Sequence, residues 1–254
     1  MKYGQRGEGQ GLRMPEGRVA LITGGTRRIG LAIARRLAQD GYSLALVYHQ
    51  NEAAAAAALL ELRPLTPQVT TLKLDVSTPD GARLAVEQTQ RVLDSVDVLV
   101  NNVGPFAPSS FMETSLDAYN SMVAGNLNSV FHMCQAAIPL MRAQAGGSIV
   151  NLGSLNAEVA RGAPNAAVYH ALKAAVVVLT RSIARSEGPY NIRANVVNPG
   201  MVDTVGVGPD IANKIPLGRL GEPEDVANAV AWLVGDEATY VNGTVLNVHG
   251  GLWA

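Results

Sequence analysis

Short apolar runs rich in β-branched residues alternate with longer stretches of helical periodicity along this chain. The predicted strands are Val19–Thr23, Ser43–Tyr48, Val69–Leu74, Val96–Asn101, Ser148–Leu152, Ile192–Val197 and Thr244–Val248. The predicted helices are Ile29–Asp40, Glu52–Leu62, Pro79–Leu93, about Leu116–Arg142, Asn165–Glu187 and Glu224–Leu233. Alternation of this kind is typical of parallel sheets with crossover helices. We therefore predict an α/β fold in which seven strands form a doubly wound parallel sheet with helices on both faces.

The 254 residues are enough for one large core, and no repeat or linker divides them. Residues 1–17 contain five glycines and show no apolar periodicity, which favours a flexible N-terminal extension. Residues 18–254 are expected to form a single domain.

Composition narrows the classes of partner. With 20 Lys and Arg against 21 Asp and Glu, the chain has no excess positive charge for nucleic acid or anionic lipid. Cys134 is the only cysteine, no signal peptide is evident, and charged residues such as Lys173 and Arg181 interrupt the apolar runs. We expect a soluble cytoplasmic protein that acts on a small molecule, with no nucleic-acid or membrane partner.

The first strand runs into T-G-G-T-R-R-I-G at residues 23–30 and then directly into a helix. In a Rossmann-like fold this turn holds a dinucleotide pyrophosphate on the helix N-terminus. Gly24, Gly25 and Gly30 are present, but Arg28 stands where the common fingerprint has its middle glycine. The motif alone is a weak signal.

Arg27 and Arg28 open a helix, where a cation is unfavourable unless an anion lies nearby. The second strand ends at Tyr48-His49-Gln50-Asn51, and no acid stands there to bind the ribose 2′-hydroxyl of NAD. The pattern favours NADP(H) over NAD(H). Two solvated surface arginines are the alternative interpretation.

Four residues have types that suit proton transfer. Tyr169 and Lys173 are four apart in a predicted helix, where an ammonium can lower the pKa of a phenol. Ser154 follows a strand at the carboxyl edge of the sheet, and Asn126 lies within a long helix that it could bend. Taken singly, these residues also fit a surface pair, a turn cap and an ordinary helical asparagine.

The order of the motifs nevertheless resembles the short-chain dehydrogenase/reductase family, in its branch of about this length, from Arg18 to Trp253. The features in family order are T-G-G-T-R-R-I-G, Asp75-Val76, N-N-V-G at 101–104, Asn126, Ser154, Tyr169 with Lys173, N-P-G-M-V-D-T at 198–204 and V-H-G-G at 248–251.

The resemblance implies a role for each catalytic residue. Tyr169 would be the general acid in reduction and the base in oxidation, and Lys173 would lower its pKa and bind the nicotinamide ribose. Ser154 would orient the substrate oxygen, and Asn126 would hold a water of the proton relay. No metal is required, because the histidines at 49, 132, 170 and 249 are scattered.

Cofactor contacts are implied along the whole carboxyl edge: phosphates at the first turn, adenine at Asp75 and Val76, the adenosine ribose at Asn102 to Gly104, and nicotinamide at Pro199 to Thr204. The positions concerned are Gly24, Thr26, Arg27, Arg28, Ile29, Tyr48, His49, Gln50, Asn51, Asp75, Val76, Asn102, Val103, Gly104, Tyr169, Lys173, Pro199, Gly200, Val202 and Thr204.

The sequence departs from the family pattern at three places, two of which concern the substrate. Arg28 makes the glycine motif resemble that of the pteridine reductases, although Ser154 favours carbonyl chemistry. The interval from Ser154 to Tyr169 is about two residues longer than usual, so its segment is expected to bulge into the substrate pocket. His249 replaces a common aspartate at a position tied to subunit packing, and we expect no loss of catalysis from it.

The leading hypothesis is an NADP(H)-dependent reductase of a ketone or aldehyde, including a 3-oxoacyl group. The alternatives are a dihydropterin reductase, a non-catalytic NADP-binding sensor and an epimerase or dehydratase. By resemblance we expect a homotetramer. The loop Met201–Gly221 and the segment after Ser154 are expected to shape substrate choice.

Overall fold

The structure is a computed structural model that describes residues 17–66, 68–204 and 209–252. Within these residues seven parallel strands form one sheet, as predicted, and their order is β3-β2-β1-β4-β5-β6-β7. The strands are β1 Val19–Thr23, β2 Ser43–Tyr48, β3 Val69–Lys73, β4 Val98–Asn101, β5 Gly147–Leu152, β6 Ile192–Pro199 and β7 Val245–Val248. The predicted extension at residues 1–17 lies outside this description except for Gly17.

Helices cover both faces of the sheet. They are α1 Arg28–Gln39, α2 Glu52–Leu62, α3 Pro79–Leu93, α4 Leu116–Val123, α5 Ser129–Ala143, α6 Ala167–Glu187, α7 Pro209–Ala212 and α8 Pro223–Val234. Alternate residues of β1 point to opposite layers: Ile22 packs with α1 and α8, and Leu21 packs with α3, α5 and α6. This two-sided burial explains why the strands read as continuous apolar runs.

The strand order reverses beside β1. The chain builds β1, β2 and β3 outward in one direction and then returns to place β4 on the other side of β1, where Thr23 and Asn101 are register partners. A crevice opens at such a switch point, outside the carboxyl ends of the strands. The fold thus places the T-G-G-T-R-R-I-G and N-N-V-G segments side by side.

The predicted helix at about Leu116–Arg142 is interrupted. A π-helical segment, Ala124–Asn128, joins α4 to α5 and contains Asn126. Single π turns inside α-helices are frequent at functional sites. The short helix α7 was not predicted.

Helix α6 packs on one face of the sheet, in the same layer as α3 and α5. With its following turn, at Ala167–Tyr190, it is the one helix in the described part of the chain that is long and apolar enough to cross a membrane. It packs on β6 and buries Lys173, Val176 and Val177. Its burial is one-sided, because Val178 of the same helix is 64% exposed.

Candidate active site

A cleft of about 1470 Å³ opens at the carboxyl ends of the strands around the switch point. Most of the predicted cofactor positions line it: Gly24, Thr26, Arg27, Arg28, Ile29, Tyr48, His49, Gln50, Asn51, Asp75, Val76, Asn102, Val103, Gly104, Tyr169 and Thr204. The fold thus brings together segments that are more than 100 residues apart in sequence.

Backbone contacts shape the phosphate end of the cleft. Gly24 has a φ of +63°, and a Cβ at Gly30 would lie 2.1 Å from the Gly24 carbonyl oxygen, so α1 and the turn meet without side chains between them. Asn102 ties the turn to β4, since its Nδ2 donates to the Thr23 and Gly24 carbonyls at 3.1 and 3.2 Å. No side chain caps α1. Its first backbone amides can therefore receive an anion, and these residues fit a pyrophosphate.

Arg28 adopts the conformation that the missing glycine would favour. Its φ is +49°, in the left-handed region, whereas the preceding Arg27 is extended at φ −152°. Left-handed backbone costs an L-residue about 1–2 kcal/mol. Both side chains are exposed and line the cleft, so the strained turn presents two cations to it.

The segment after β2 contains one helix-capping residue and two residues exposed in the cleft. Asn51 caps α2, accepting from the Ala54 amide at 2.8 Å, while His49 and Gln50 are exposed in the cleft. Glu52 also lines the cleft, a position that the sequence analysis missed, and its carboxylate accepts a hydrogen bond from Lys73. Lys73 thereby neutralises the negative charge of Glu52, which lies next to the position predicted for the 2′-phosphate.

The turn after β3 is held by Asp75. Its carboxylate accepts from the Ser77 amide at 3.0 Å and from the Ser77 hydroxyl at 2.7 Å. Burial opposes ionisation, but these bonds and the nearby His49 outweigh it and lower the pKa of Asp75. His132 of α5 contacts the Ser77 carbonyl oxygen at 3.0 Å, which fixes the turn from the other side.

Tyr169 and Lys173 lie in the first two turns of α6. Lys173 Nζ is buried and donates to the Leu152 carbonyl at 2.8 Å, and burial lowers the pKa of Lys173 to about 8. Burial raises the pKa of Tyr169 to about 12, against the lowering predicted from Lys173. The reason is that desolvation of the phenol dominates. Tyr169 is therefore a protonated phenol at neutral pH, able to donate.

Asn126 connects the π-helical segment to the turn after β4. It is fully buried, and its Nδ2 donates to the Pro105 and Met122 carbonyls at 2.9 and 3.0 Å, while its Oδ1 has no hydrogen-bond partner among the described residues. A Cβ at Gly104 would lie 2.4 Å from Asn126 Oδ1 and 3.1 Å from Lys173 Nζ. Gly104 thus allows the two polar groups to approach the same stretch of backbone.

Ser154 lies two residues beyond β5. Its Oγ is buried and has no hydrogen-bond partner among the described residues. An unpaired buried hydroxyl is costly, so it is suited to a ligand oxygen. Neither Ser154 nor any of residues 155–166 lines the main cleft, and the bulge of this segment into the substrate pocket stays a prediction. The segment contacts β6 and β7, because its Glu158 bonds to side chains there.

The positions predicted to cover the nicotinamide are divided. Thr204 lines the main cleft, whereas Pro199, Gly200 and Val202 do not, and a Cβ at Gly200 would lie 2.6 Å from His249. Val202 lines a separate cavity of about 240 Å³. Within the Met201–Gly221 loop, residues 205–208, with Gly206 and Gly208, lie outside the described residues.

Several cleft residues were not predicted: Glu52, Ser77, Pro105, Phe106, Ser121, Ala124 and Gly125. Phe106 is 57% exposed, and its ring meets that of Tyr169 nearly edge-on at 5.0 Å between centroids. Its place directly after N-N-V-G-P, at the end of β4, was a signal that could have identified it.

Three comparisons place this geometry among known proteins. Residues 24–253 match the family model described as enoyl-(acyl carrier protein) reductase. The chain is 37% identical over 246 residues to a 3alpha-hydroxysteroid dehydrogenase of Mediterraneibacter gnavus, covering 93% of this chain and 97% of that protein. It is 32% identical over 243 residues to the 3-oxoacyl-[acyl-carrier-protein] reductase FabG of Chlamydia trachomatis, covering 92% and 97%. A blue fluorescent protein from a metagenomic library, solved in complex with NADPH, superposes with a TM-score of 0.88 at 38% identity, covering 95% of this chain and all of that one.

Proposed function

This chain belongs to the short-chain dehydrogenase/reductase family of oxidoreductases, and from that premise we propose that it reduces a ketone or aldehyde to an alcohol with NADPH. The observation that carries the proposal is the buried Ser154 hydroxyl, which no described protein group satisfies. A substrate carbonyl oxygen is the acceptor that such a donor lacks.

Tyr169 is the proposed general acid. Its raised pKa keeps the phenol protonated at neutral pH, so it can transfer its proton to the carbonyl oxygen as negative charge develops there. The hydrogen bond from Ser154 holds that oxygen in place and stabilises the same charge. In the reverse direction the tyrosinate would take the proton from the alcohol.

Lys173 and Asn126 support this proton transfer. With a pKa near 8, Lys173 is a cation at neutral pH that stabilises the tyrosinate left after proton donation. The unpaired Asn126 Oδ1 can accept a hydrogen bond from a water next to Lys173. We propose that reprotonation of Tyr169 runs along this path.

The glycine cradle and the free start of α1 fit a dinucleotide, whose nicotinamide supplies the hydride when bound. The cleft residues from Gly24 to Ile29 would hold the phosphates, and Asp75 and Val76 would contact the adenine. Two observations support NADP(H) over NAD(H): Arg27 and Arg28 are exposed at the phosphate end of the cleft, and a structural neighbour was solved with NADPH. Pro199, Gly200 and Val202 remain proposed contacts of the nicotinamide side.

Phe106 bears on the substrate. Its exposed ring beside Tyr169 offers an apolar, aromatic surface next to the reacting oxygen. That surface suits the apolar part of a ketone or a 3-oxoacyl chain. The ring can also stack on a planar heterocycle, so a dihydropterin is the second candidate substrate. A homotetramer in the cytoplasm remains our expectation from the family.

A carbonyl panel tests the proposal. NADPH oxidation is followed at 340 nm with aliphatic ketones, a 3-oxoacyl thioester, a 3-ketosteroid and a dihydropterin. Tyr169→Phe should lower kcat about 10²- to 10⁴-fold on any substrate turned over, because the general acid is lost. Its dissociation constant for NADPH, from fluorescence titration, should change little.

The possible outcomes separate the candidates. Turnover of the dihydropterin alone would replace the carbonyl proposal with the second candidate. Equal turnover by Tyr169→Phe would overturn the assigned mechanism. Tight NADPH binding without turnover of any substrate would favour the non-catalytic sensor.

A further inference from the structure

A network of three polar side chains lies behind Ser154. Glu158 belongs to the 3₁₀ turn Ala157–Val159, and its Oε2 accepts from Asn198 Nδ2 at 2.6 Å while its Oε1 accepts from Asn247 Nδ2 at 2.6 Å. The two asparagines are register partners on β6 and β7, and Asn198 Nδ2 also donates to Asn247 Oδ1 at 3.1 Å. Both carboxylate oxygens are therefore fixed by charge-assisted bonds to the sheet.

The backbone around Glu158 is in an unfavourable conformation. Asn156 has a φ of +63° and Ala160 a φ of +50°, and neither is a glycine. Such left-handed residues persist where surrounding contacts over-determine them. The bonds of Glu158 to two strands are contacts of this kind, and they lie midway between the two strained residues.

The same network reaches Ser154 through Asn198. Gly153, directly before Ser154, packs so closely on Asn198 that a Cβ would lie 1.9 Å from Asn198 Oδ1. On the other side of Ser154, its carbonyl accepts from the Ala157 amide at 3.0 Å, within the turn that carries Glu158. Asn198 is fully buried and thus a rigid support. Ser154 is held between two points that both depend on this network.

We propose that Glu158 is a positioning residue for the reaction: by bridging Asn198 and Asn247 it fixes the orientation in which Ser154 Oγ meets the substrate oxygen. The inference rests on the proposed carbonyl reduction. A carboxylate suits this role because one group with two acceptor oxygens can bind two amide donors at once. Neither the cleft wall nor the cofactor positions include Glu158.

Three variants test the role. Glu158→Ala removes both acceptors, Asn247→Asp sets a second carboxylate against Glu158, and the double variant Glu158→Gln with Asn247→Asp reverses the polarity of one bond while keeping its geometry. Glu87→Ala, which removes an exposed carboxylate paired with Arg83 on α3, is the matched control. For each, kcat and KM are measured on a substrate that the wild type turns over, with the NADPH dissociation constant and amide hydrogen exchange of residues 153–160.

We expect Glu158→Ala and Asn247→Asp to lower kcat about 10- to 100-fold, since displacing a positioned group by about 1 Å can cost this much. Exchange at residues 153–160 should accelerate, NADPH binding should stay within twofold, and the double variant should regain most of kcat. Glu87→Ala should match the wild type.

Unchanged kcat in Glu158→Ala, or a double variant no better than the single ones, would overturn the positioning role. So would a loss of NADPH binding parallel to the loss of kcat, which would indicate general damage. If the wild type reduces no carbonyl, the proposed function fails by itself. The exchange measurement then decides on Glu158, because unchanged exchange would show that it does not hold the Ser154 segment.

Discussion

The two ends of the cleft are built by different means. At the phosphate end, backbone meets backbone: Gly30 touches the Gly24 carbonyl, and helix α1 begins without a side-chain cap. Near Tyr169, at the proton-transfer end, side chains bond to segments distant in sequence: Lys173 donates to the Leu152 carbonyl, and Glu158, outside the cleft wall, accepts from Asn198 and Asn247. A site built from backbone requires positions without a Cβ atom. A site built from side chains requires several residues to form their hydrogen bonds together.

The largest loss of stability and cofactor binding is expected at Gly30, where the phosphate end of the cleft has no space for a side chain. Gly30→Ala should lower the free energy of unfolding by about 3 kcal/mol and abolish measurable NADPH binding, because its Cβ would overlap the Gly24 carbonyl oxygen. In most helices the same change is stabilising. Denaturant unfolding and fluorescence titration provide the measurements.

Gly162→Ala, in the exposed segment between Ser154 and Tyr169, is the matched control. A Cβ there meets nothing within 4 Å, and its φ is not in the left-handed region. Its free energy of unfolding should stay within about 0.5 kcal/mol of the wild type. Equal effects of the two substitutions would contradict the backbone-built description of the phosphate end.

The free energy of unfolding should depend on pH through the two buried groups Lys173 and Tyr169. The pKa of Lys173, about 8 in the folded chain, lies below the unfolded value of about 10.4, so the unfolded state binds more protons between these pH values. The free energy of unfolding should therefore rise with pH through this window. The pKa of Tyr169 is shifted the other way, to about 12, so stability should fall above about pH 10.

Lys173→Met removes the buried charge. We expect it to abolish turnover and yet raise the free energy of unfolding at pH 7 by about 1–3 kcal/mol, with the rise in stability above pH 8 gone. Urea unfolding at several pH values checks both parts. A less stable variant at pH 7 would mean that the bond to Leu152 outweighs the desolvation of the ammonium.

The smallest change in the free energy of unfolding is expected at Arg27 and Arg28, where two substitutions separate the effect of backbone conformation from that of charge. Arg28→Gly should raise the free energy of unfolding by about 1 kcal/mol, because glycine takes the left-handed conformation freely. Arg27→Ala, at an extended position, should give no such gain. Both should raise KM for NADPH about tenfold or more, and much less for NADH, if the arginines bind the 2′-phosphate. Unchanged cofactor selectivity in both variants would reject that role.

Sequence reasoning worked best at the phosphate end. The bounds of β2 were predicted without error, and Gly24, Arg27 and Arg28 line the cleft, since strand periodicity and the glycine turn are local signals. The π-helical segment at Asn126, the exposed ring of Phe106 and the network of Glu158 were not predicted. Glu158 lies 40 and 89 residues from its partners, and no local pattern encodes contacts at that separation.

The last strand has a consequence for the order in which the enzyme is completed. Strands β1 to β4, which frame the phosphate end, are all synthesised by residue 101, whereas Asn247, the second partner of Glu158, follows 146 residues after Asn101. At about 5–20 residues per second this is a delay of roughly 7 to 29 seconds on the ribosome. The segments of the phosphate end are therefore synthesised well before the last partner in the network that we propose to hold Ser154.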